Sequence, residues 1–271
     1  MMSYKTWLLA VMLLWPMLGF GQSYEKEFGV AFAWEVKQVD EFIERFNNDE
    51  FSFIREYLKK NESTSALTRE RMLKSLFNAK GTNWNYNEIT AFIKQVNNAE
   101  KPQYLDLDSS NWYANVQCLV TNHGKPEKAL LKLKIATLPD GSSKWVIADV
   151  SLPGQASAPA AANAGPRVRG PKPADAKASL NPMSHAIDFM NIDLVTKKPE
   201  NIENFVDDAP DRSRSLDWFV GACLKNQLKV VRATSISYTF LQIKGWQIEV
   251  KQFHRQSLNS GWLISKLVKL S

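Results

Sequence analysis

Two segments of this 271-residue chain follow one plan at an offset of 117 residues. Residues 128–150 are predicted to form a strand, an eight-residue loop and a second strand that begins at Trp145. Residues 245–267 repeat this order without a gap, so that Trp262 corresponds to Trp145. A self-similar period of this kind indicates that one small domain occurs twice. The repeat predicts the architecture and leaves the chemistry open.

A linker is predicted between the two copies, at residues 153–179. Of its 27 residues, 17 are Ala, Pro or Gly and none is aromatic. Such a segment cannot bury enough apolar surface to offset the entropy of ordering it. The prediction is therefore a first domain at 22–152, which we call copy one, and a shorter second domain at 180–271, which we call copy two.

Both copies have the same predicted order of helices followed by strands. Apolar residues at helical spacing predict helices at 31–47, around 51–58, after a Thr68 cap and after an Asn87 cap, and in copy two at 182–193 and 215–226. Alternating residues predict antiparallel meanders at 112–150 and 229–270. Helices followed by a meander indicate an α+β fold in which each sheet curves around its own first helix.

This arrangement resembles the nuclear transport factor 2-like (cystatin-like) cone of exported bacterial proteins, here in two tandem copies. The resemblance is carried by the helix at 31–47 with the meander 112–150, and by the helix at 182–193 with the meander 229–270. It implies a cone with an apolar pocket. Members of that superfamily include isomerases, dehydratases, ligand carriers and protein-binding modules, so the fold does not choose among them.

The N-terminus predicts export. Lys5 is the only charge before an apolar run at 7–20, and small residues, Gly19 and Gly21, stand where a signal peptidase reads. We expect residues 1–21 to be a cleaved signal peptide, which leaves no transmembrane segment in a periplasmic or extracellular protein. The alternative is an uncleaved anchor. No cysteine follows the run, which argues against a lipoprotein.

The charge and cysteine content limit the possible partners. A net charge of +6 is mild, and no block of five or six basic residues occurs, so nucleic acid is not expected as a partner. A weak preference for an anionic surface such as a cell envelope is compatible with this balance. Cys118 and Cys223 are expected to be buried free thiols, with a disulfide between the copies as the alternative.

A search for catalytic chemistry finds no candidate catalytic, cofactor-binding or metal-binding residues. The three histidines lack ligand spacing, and neither a nucleophile elbow nor a glycine-rich phosphate loop occurs. Three carboxylates lie beside aromatic residues, where burial could shift a pKa: Glu35, Asp188 and Asp217. We expect each of them to face solvent, because its aromatic neighbour lies on another side of the helix.

Several aromatic residues are expected either in the core or at a ligand. Trp145, Trp246 and Trp262 open strands of the repeat and are expected in the core. Four aromatic residues are harder to assign to a core and are the candidate ligand contacts: Trp84, Tyr86, Trp112 and Tyr113.

The sequence therefore predicts an exported, non-catalytic binding or interaction protein that engages a protein or an envelope component. The alternative is a small-molecule carrier or an isomerase- or dehydratase-type enzyme that uses an apolar cone pocket. A third hypothesis is that the protein is a structural subunit of a larger exported assembly.

Overall fold

The structure is a computed structural model that describes residues 35–36, 38–52, 55–56, 68–78, 84–137, 143–152, 180, 189–210, 212–253 and 260–270. The predicted signal peptide and the predicted linker lie outside these residues. The α+β class is confirmed: helices are followed by a single antiparallel sheet of six strands, β2 to β7, with β1 added in parallel at one edge. None of the described helices is long and apolar enough to cross a membrane.

In copy one the helices precede three strands. These elements are β1 (Glu35–Val36), α1 (Val39–Asn47), α2 (Arg69–Ser75), α3 (Tyr86–Val96), β2 (Trp112–Asn122), β3 (Lys125–Thr137) and β4 (Ser143–Ser151).

Copy two follows the same order, with helical elements of four to six residues before an 11-residue helix. Its elements are a 3-10 helix (Met190–Asp193), α4 (Leu194–Lys197), a second 3-10 helix (Pro199–Asn204), α5 (Arg214–Leu224), β5 (Leu228–Phe240), β6 (Trp246–Phe253) and β7 (Ser260–Lys269). The strand order in the sheet is β1-β7-β6-β5-β2-β3-β4.

The helix starts illustrate what local sequence can decide. The Thr68 cap is confirmed, because its side chain accepts a hydrogen bond from the backbone N–H of Arg71. The predicted Asn87 cap is wrong: Asn85 caps α3 and accepts from the N–H groups of Asn87 and Glu88. Both asparagines can cap a helix, and the extended backbone of Asn85 is what selects it.

The first helical segment of copy two differs from its prediction. Leu194 is 38% exposed, whereas Phe189, Ile192 and Val195 are fully buried. These buried residues recur every three positions because the segment begins as a 3-10 helix, which has three residues per turn. The start of the predicted helix, at 181–188, lies outside the described residues.

The chain divides into two compact units, and each draws on both copies. Unit 1 combines the chain up to Leu105 with Gln252–Leu267, and unit 2 combines Asp106–Lys251 with Val268–Ser271. Unit 1 therefore holds the helices of copy one together with most of the last strand of copy two. Unit 2 holds the strands of copy one together with the helices of copy two.

In unit 1, β7 is bordered by segments of copy one. Its residues Ser260 and Gly261 pair with β1, and the backbone N–H of Ile264 donates a 2.7 Å hydrogen bond to the carbonyl oxygen of Leu76. The N–H of Asn78 returns a 3.1 Å bond to the carbonyl oxygen of Ile264. This pairing covers a strand edge that would otherwise offer unpaired backbone groups to another chain.

In unit 2, β4 is bordered in the same way by copy two. The N–H of Ile147 donates a 2.8 Å bond to the carbonyl oxygen of Phe205, and the N–H of Asp207 donates a 2.9 Å bond back to Ile147. Trp145 forms a further bridge with Leu180. Ile147 and Ile264 are equivalent positions of the repeat, so the two copies use the same strand position to bind each other's helical segments.

The tandem division into 22–152 and 180–271 is not confirmed. Within unit 2, β2 of copy one pairs antiparallel with β5 of copy two along its whole length, from Trp112 opposite Phe240 to Asn122 opposite Leu228. The repeat itself is consistent with the strands. Equivalent surfaces of two copies can pair between copies as readily as within one copy.

Aromatic and polar contacts hold the helices of unit 1 together. In unit 1, Phe92 makes edge contacts with Phe46 and Phe77 at centroid distances of 6.2 Å. The Arg69 guanidinium donates to the carbonyl oxygens of Phe46 and Val96, which lie in the last turns of α1 and α3, where carbonyl groups have no partner within the helix. One side chain thus joins three helices of copy one.

Candidate functional site

The outer face of the unit 2 sheet is a polar surface that four of the described strands share. In β2, buried and less buried residues alternate from Trp112 to Val120, as expected for a strand with one face against a core. We use the name outer face for the side chains of β2, β3, β5 and β6 that alternate with the buried ones. Its members include Tyr113, Asn115, Gln117, Lys128, Lys132, Lys134, Lys229, Arg232, Ser235, Ser237, Glu249 and Lys251.

Positive charge is concentrated on these four strands. They contain seven lysine and arginine residues against two glutamates, whereas the chain as a whole is nearly balanced. Lys128, Lys229 and Arg232 are all exposed. Of the acids, Glu127 accepts a hydrogen bond from Asn122, and Glu249 forms an ion pair with Lys251 at 2.5 Å. Lys134 is in turn paired with Asp207 at 2.6 Å. The outer face therefore carries more lysine and arginine than acidic side chains, and Lys128, Lys229 and Arg232 account for its exposed positive charge.

One row of side chains crosses four strands in register. Asn115 of β2 lies opposite Lys132 of β3 and opposite Ser237 of β5, and Ser237 lies opposite Lys251 of β6. Two cations therefore flank an amide and a hydroxyl. We call this set the cross-strand row.

The ends of the cross-strand row have different surroundings. The Lys132 ammonium lies 3.8 Å from the centre of the Tyr113 ring, a cation–π contact. Asp149 of β4 lies opposite Lys132 in the sheet. Its Oδ1 accepts hydrogen bonds from the hydroxyls of Ser213 and Ser215. At the other end, the exposed pair between Lys251 and Glu249 is worth little in water. The Lys251 ammonium can thus turn toward a ligand at low cost.

Beside this row lies a neutral polar centre. The Thr234 hydroxyl donates to the main-chain carbonyl oxygen of Gln117 at 3.0 Å, and the Ser235 hydroxyl donates to Gln117 Oε1 at 3.1 Å. Thr234 is the additional residue of a bulge in β5. The bulge brings two neighbouring hydroxyls to the same side of the sheet.

The four predicted aromatic contacts are divided between the units, with Trp84 and Tyr86 in unit 1 and Trp112 and Tyr113 in unit 2. In unit 1, Trp84 is half-buried, packs against Phe77 at 5.4 Å and donates its indole N–H to the carbonyl oxygen of Asn78. Tyr86 is the first residue of α3 and is 55% exposed. Trp84 therefore has a structural partner on either side of its ring system, while Tyr86 presents an exposed ring.

In unit 2, Trp112 and Tyr113 point to opposite faces of β2. Trp112 is 2% exposed, and its indole N–H donates to the carbonyl oxygen of Leu107. Trp112 therefore packs in the core of unit 2. Tyr113 lies half-buried on the outer face beside Lys132.

The inner face of the unit 2 sheet is filled by aromatic rings. Trp112 stacks on Phe240 with centroids 5.1 Å apart and meets Trp145 edge-on at the same distance. Phe189 closes the cluster against Trp145 at 5.6 Å. The expected core roles of Trp145, Trp246 and Trp262 are confirmed, since all three are buried.

The ionisable groups of unit 2 have structural surroundings. Cys118 and Cys223 are free and buried, and burial raises the pKa of each thiol to about 12. Thiols in this state are poor nucleophiles. His123 lies exposed in the turn between β2 and β3, with a positive φ. Among the described residues, no three His, Cys, Asp or Glu side chains are grouped to hold a metal ion.

The expectation that Asp217 faces solvent is wrong. Its carboxylate accepts a 2.5 Å bond from the buried Arg212 guanidinium, which also pairs with Glu203 at 2.8 Å. This network joins α5 to the second 3-10 helix, and its hydrogen bonds raise the pKa of Arg212 although burial acts to lower it. Glu35 lies in a strand instead of a helix, and Asp188 lies outside the described residues.

The cross-strand row was missed from the sequence because it depends on pairing between the copies. In the sequence, lysines at 132 and 134 alternate with apolar residues, which is typical of any solvated sheet face. The join between β2 and β5 is what brings Asn115 next to Ser237. A usable signal was the scarcity of acidic residues in the four strands.

No protein-family model, no curated protein and no solved structure matches this chain. The resemblance to the nuclear transport factor 2-like cone therefore stays a prediction. The function is therefore inferred from the residues of the site.

Proposed function

We propose that this chain is an exported, non-catalytic binding protein that engages an anionic component of the cell envelope through the outer face of unit 2. The single observation that carries the proposal is the excess of lysine and arginine on the four paired strands. A surface of one sign attracts ligands of the opposite sign and raises their rate of association.

Export is part of the proposal and rests on the predicted signal peptide at 1–21. Such a protein would meet envelope polymers and lipids directly. N-terminal sequencing of the protein recovered outside the cytoplasm tests this step, and we expect the mature chain to begin near Gln22. A protein recovered only from the cytoplasm with its N-terminus intact would contradict export.

The aromatic packing of unit 2 speaks against the alternative of an enzyme or carrier with an apolar pocket. Trp112, Trp145 and Phe240 fill the inner face where the resemblance would place such a pocket. Asp217, one of the three carboxylates considered for acid–base chemistry, is held in an ion pair with Arg212. The outer face, by contrast, has the chemistry to bind anionic ligands.

The test is sedimentation of the purified protein with isolated envelope fragments of its source organism. The test variant reverses three exposed charges of the outer face: Lys128→Glu, Lys229→Glu and Arg232→Glu. A matched control reverses three exposed lysines on the helical side of unit 2: Lys197→Glu, Lys198→Glu and Lys225→Glu. We expect the wild type to bind at low salt and to dissociate at high salt.

The test variant should bind at least about tenfold more weakly, because three attractive contacts become repulsive. The control should bind nearly as the wild type does. Equal losses in both variants would show a response to net charge alone and would contradict a site on the outer face. Undiminished binding of the test variant would do the same.

A further inference from the structure

We infer that the ligand of the outer face is an extended acidic glycan, bound across the strands at the cross-strand row. This inference rests on the proposed function and names the ligand class. It starts from the spacing of the cations and from the neutral groups between them, Asn115 and Ser237.

The length of the row favours a polymer over a single ion. Neighbouring strands lie about 4.8 Å apart, so Lys132 and Lys251, three strand spacings apart, are separated by about 14 Å at their backbones. Lys128 and Arg232 flank Leu119 in a second row, about 10 Å apart by the same spacing. Cations distributed in this way match a chain that carries an anion at intervals.

The middle of the site favours hydroxyl groups. Asn115, Gln117 and Ser237 carry amide and hydroxyl groups that both donate and accept hydrogen bonds. The hydroxyls of Thr234 and Ser235 lie beside them. A glycan presents many hydroxyls between its acidic groups, and each of them needs both kinds of partner. The alternation of charged and neutral polar groups across the row is the complement of that pattern.

A lipid surface is the competing anionic partner, and it fits less well. Proteins that bind membrane surfaces combine clustered cations with apolar side chains that insert between the lipids. Here the centre of the site consists of amides and hydroxyls. Leu119, Leu130 and Val231 add some apolar area, so a vesicle is a necessary arm of the test.

The experiment compares three probes with the purified full chain: polygalacturonate as an acidic glycan, dextran as a neutral one, and phosphatidylglycerol vesicles. We expect binding to polygalacturonate that weakens with salt, no comparable binding to dextran, and vesicle binding at least about tenfold weaker than that to polygalacturonate. Equal or tighter binding to vesicles would overturn the inference in favour of a lipid surface. Absence of binding to polygalacturonate would also overturn it.

Two double variants separate the charged from the neutral part of the row. Lys132→Gln/Lys251→Gln should weaken polygalacturonate binding about tenfold and flatten its dependence on salt, because fewer counterions are released. Asn115→Ala/Ser237→Ala should weaken binding about threefold to tenfold and leave the salt dependence unchanged, because only hydrogen bonds are lost. Lys197→Gln/Lys198→Gln is the matched control. Thermal unfolding of each variant shows that the fold is retained.

An Asn115→Ala/Ser237→Ala variant that binds polygalacturonate as well as the wild type does would overturn the assigned site. The inference and the proposed function can fail separately. Loss of envelope binding in the Lys128, Lys229 and Arg232 charge-reversal variant, without any binding to polygalacturonate, would leave the proposed function in place and remove only the glycan.

Discussion

The hydroxyl of Thr234 donates a 3.0 Å hydrogen bond to the main-chain carbonyl oxygen of Gln117, and the two residues are 117 residues apart, which is the offset of the repeat. Equivalent residues of two copies can touch in this way only near an axis that relates the copies. Within unit 2, β2 and β5 therefore meet as two like strands of a dimer would, antiparallel and side by side. The chain joins in one polypeptide what two identical chains could form by exchange.

The exchanged pairing predicts an intrachain crosslink between the copies. Ile147 and Val206 form a parallel bridge in unit 2 and are both buried. Backbones paired across a bridge lie within the range that a disulfide spans. In a Cys118→Ala/Cys223→Ala background, the variant Ile147→Cys/Val206→Cys should form a disulfide within the monomer. Non-reducing electrophoresis and peptide mapping measure it.

The single variants Ile147→Cys and Val206→Cys are the controls for crosslinks between molecules. If copy one and copy two were separate tandem domains, the double variant would remain reduced or would form crosslinks between chains. Either result would contradict the exchanged arrangement.

Gly261 is predicted to be indispensable for the pairing of β1 with β7. Its φ is +85°, and a Cβ at this position would lie 2.0 Å from the carbonyl oxygen of Val36. Because that oxygen belongs to the backbone of the paired strand, relief requires the strands to separate. We expect Gly261→Ala to lower the free energy of unfolding by about 2–4 kcal/mol, measured by urea denaturation.

Gly245→Ala separates the steric effect from backbone strain. Gly245 has a φ of +77° with no atom within 4 Å of the added Cβ, so its replacement should cost only about 1 kcal/mol. Equal losses in the two variants would show that the contact with Val36 is unimportant.

The ion network around Arg212 should be a major contributor to the stability of unit 2. The Arg212 side chain is fully buried, and its partners Glu203 and Asp217 are largely buried. Arg212→Met removes the buried cation with which both carboxylates pair. We expect a loss of about 3–5 kcal/mol in the free energy of unfolding. Lys225→Met, at an exposed position after α5, is the control and should change it by less than about 0.5 kcal/mol.

Glu44 gives unit 1 a dependence on pH. Burial, followed by the charges of Asp40, Asp49 and Glu41, raises the pKa of Glu44 above its ordinary value of 4.5. The folded state therefore holds its proton more tightly than the unfolded state does. The resulting stabilisation is fully present below about pH 4.5 and is lost as the pH rises through the higher folded-state pKa.

Glu44→Gln cannot lose a proton, so the variant should be more stable than the wild type at pH 7 and equal to it at pH 4. The gain should stay below about 1 kcal/mol, because water partly screens the side chain. Urea denaturation at the two pH values measures it, with Glu100→Gln at an exposed position as the control. A gain that persists at pH 4 would point to packing instead of ionisation.

The sequence by itself determined the local elements of this protein. Alternation located β2 through β7, the apolar spacing located α2 and α3, and the 117-residue offset identified the equivalent strands. These properties depend on near neighbours, whose periodicity a sequence displays directly. The buried positions Phe189, Ile192 and Val195 do not follow the period of an α-helix, because this segment begins as a 3-10 helix.

Only the tertiary structure decided which copy pairs with which. Ile147 and Ile264 lie in similar strands, and each strand can pair with the helical segment of either copy. The local sequence does not favour pairing between the copies over pairing within one copy. The entropy of closing a long connection grows only slowly with its length and does not decide between them either. The same choice buried Trp112 and brought Asn115 beside Ser237. The candidate site is therefore a product of the pairing between the copies, which a reading of either copy alone could not contain.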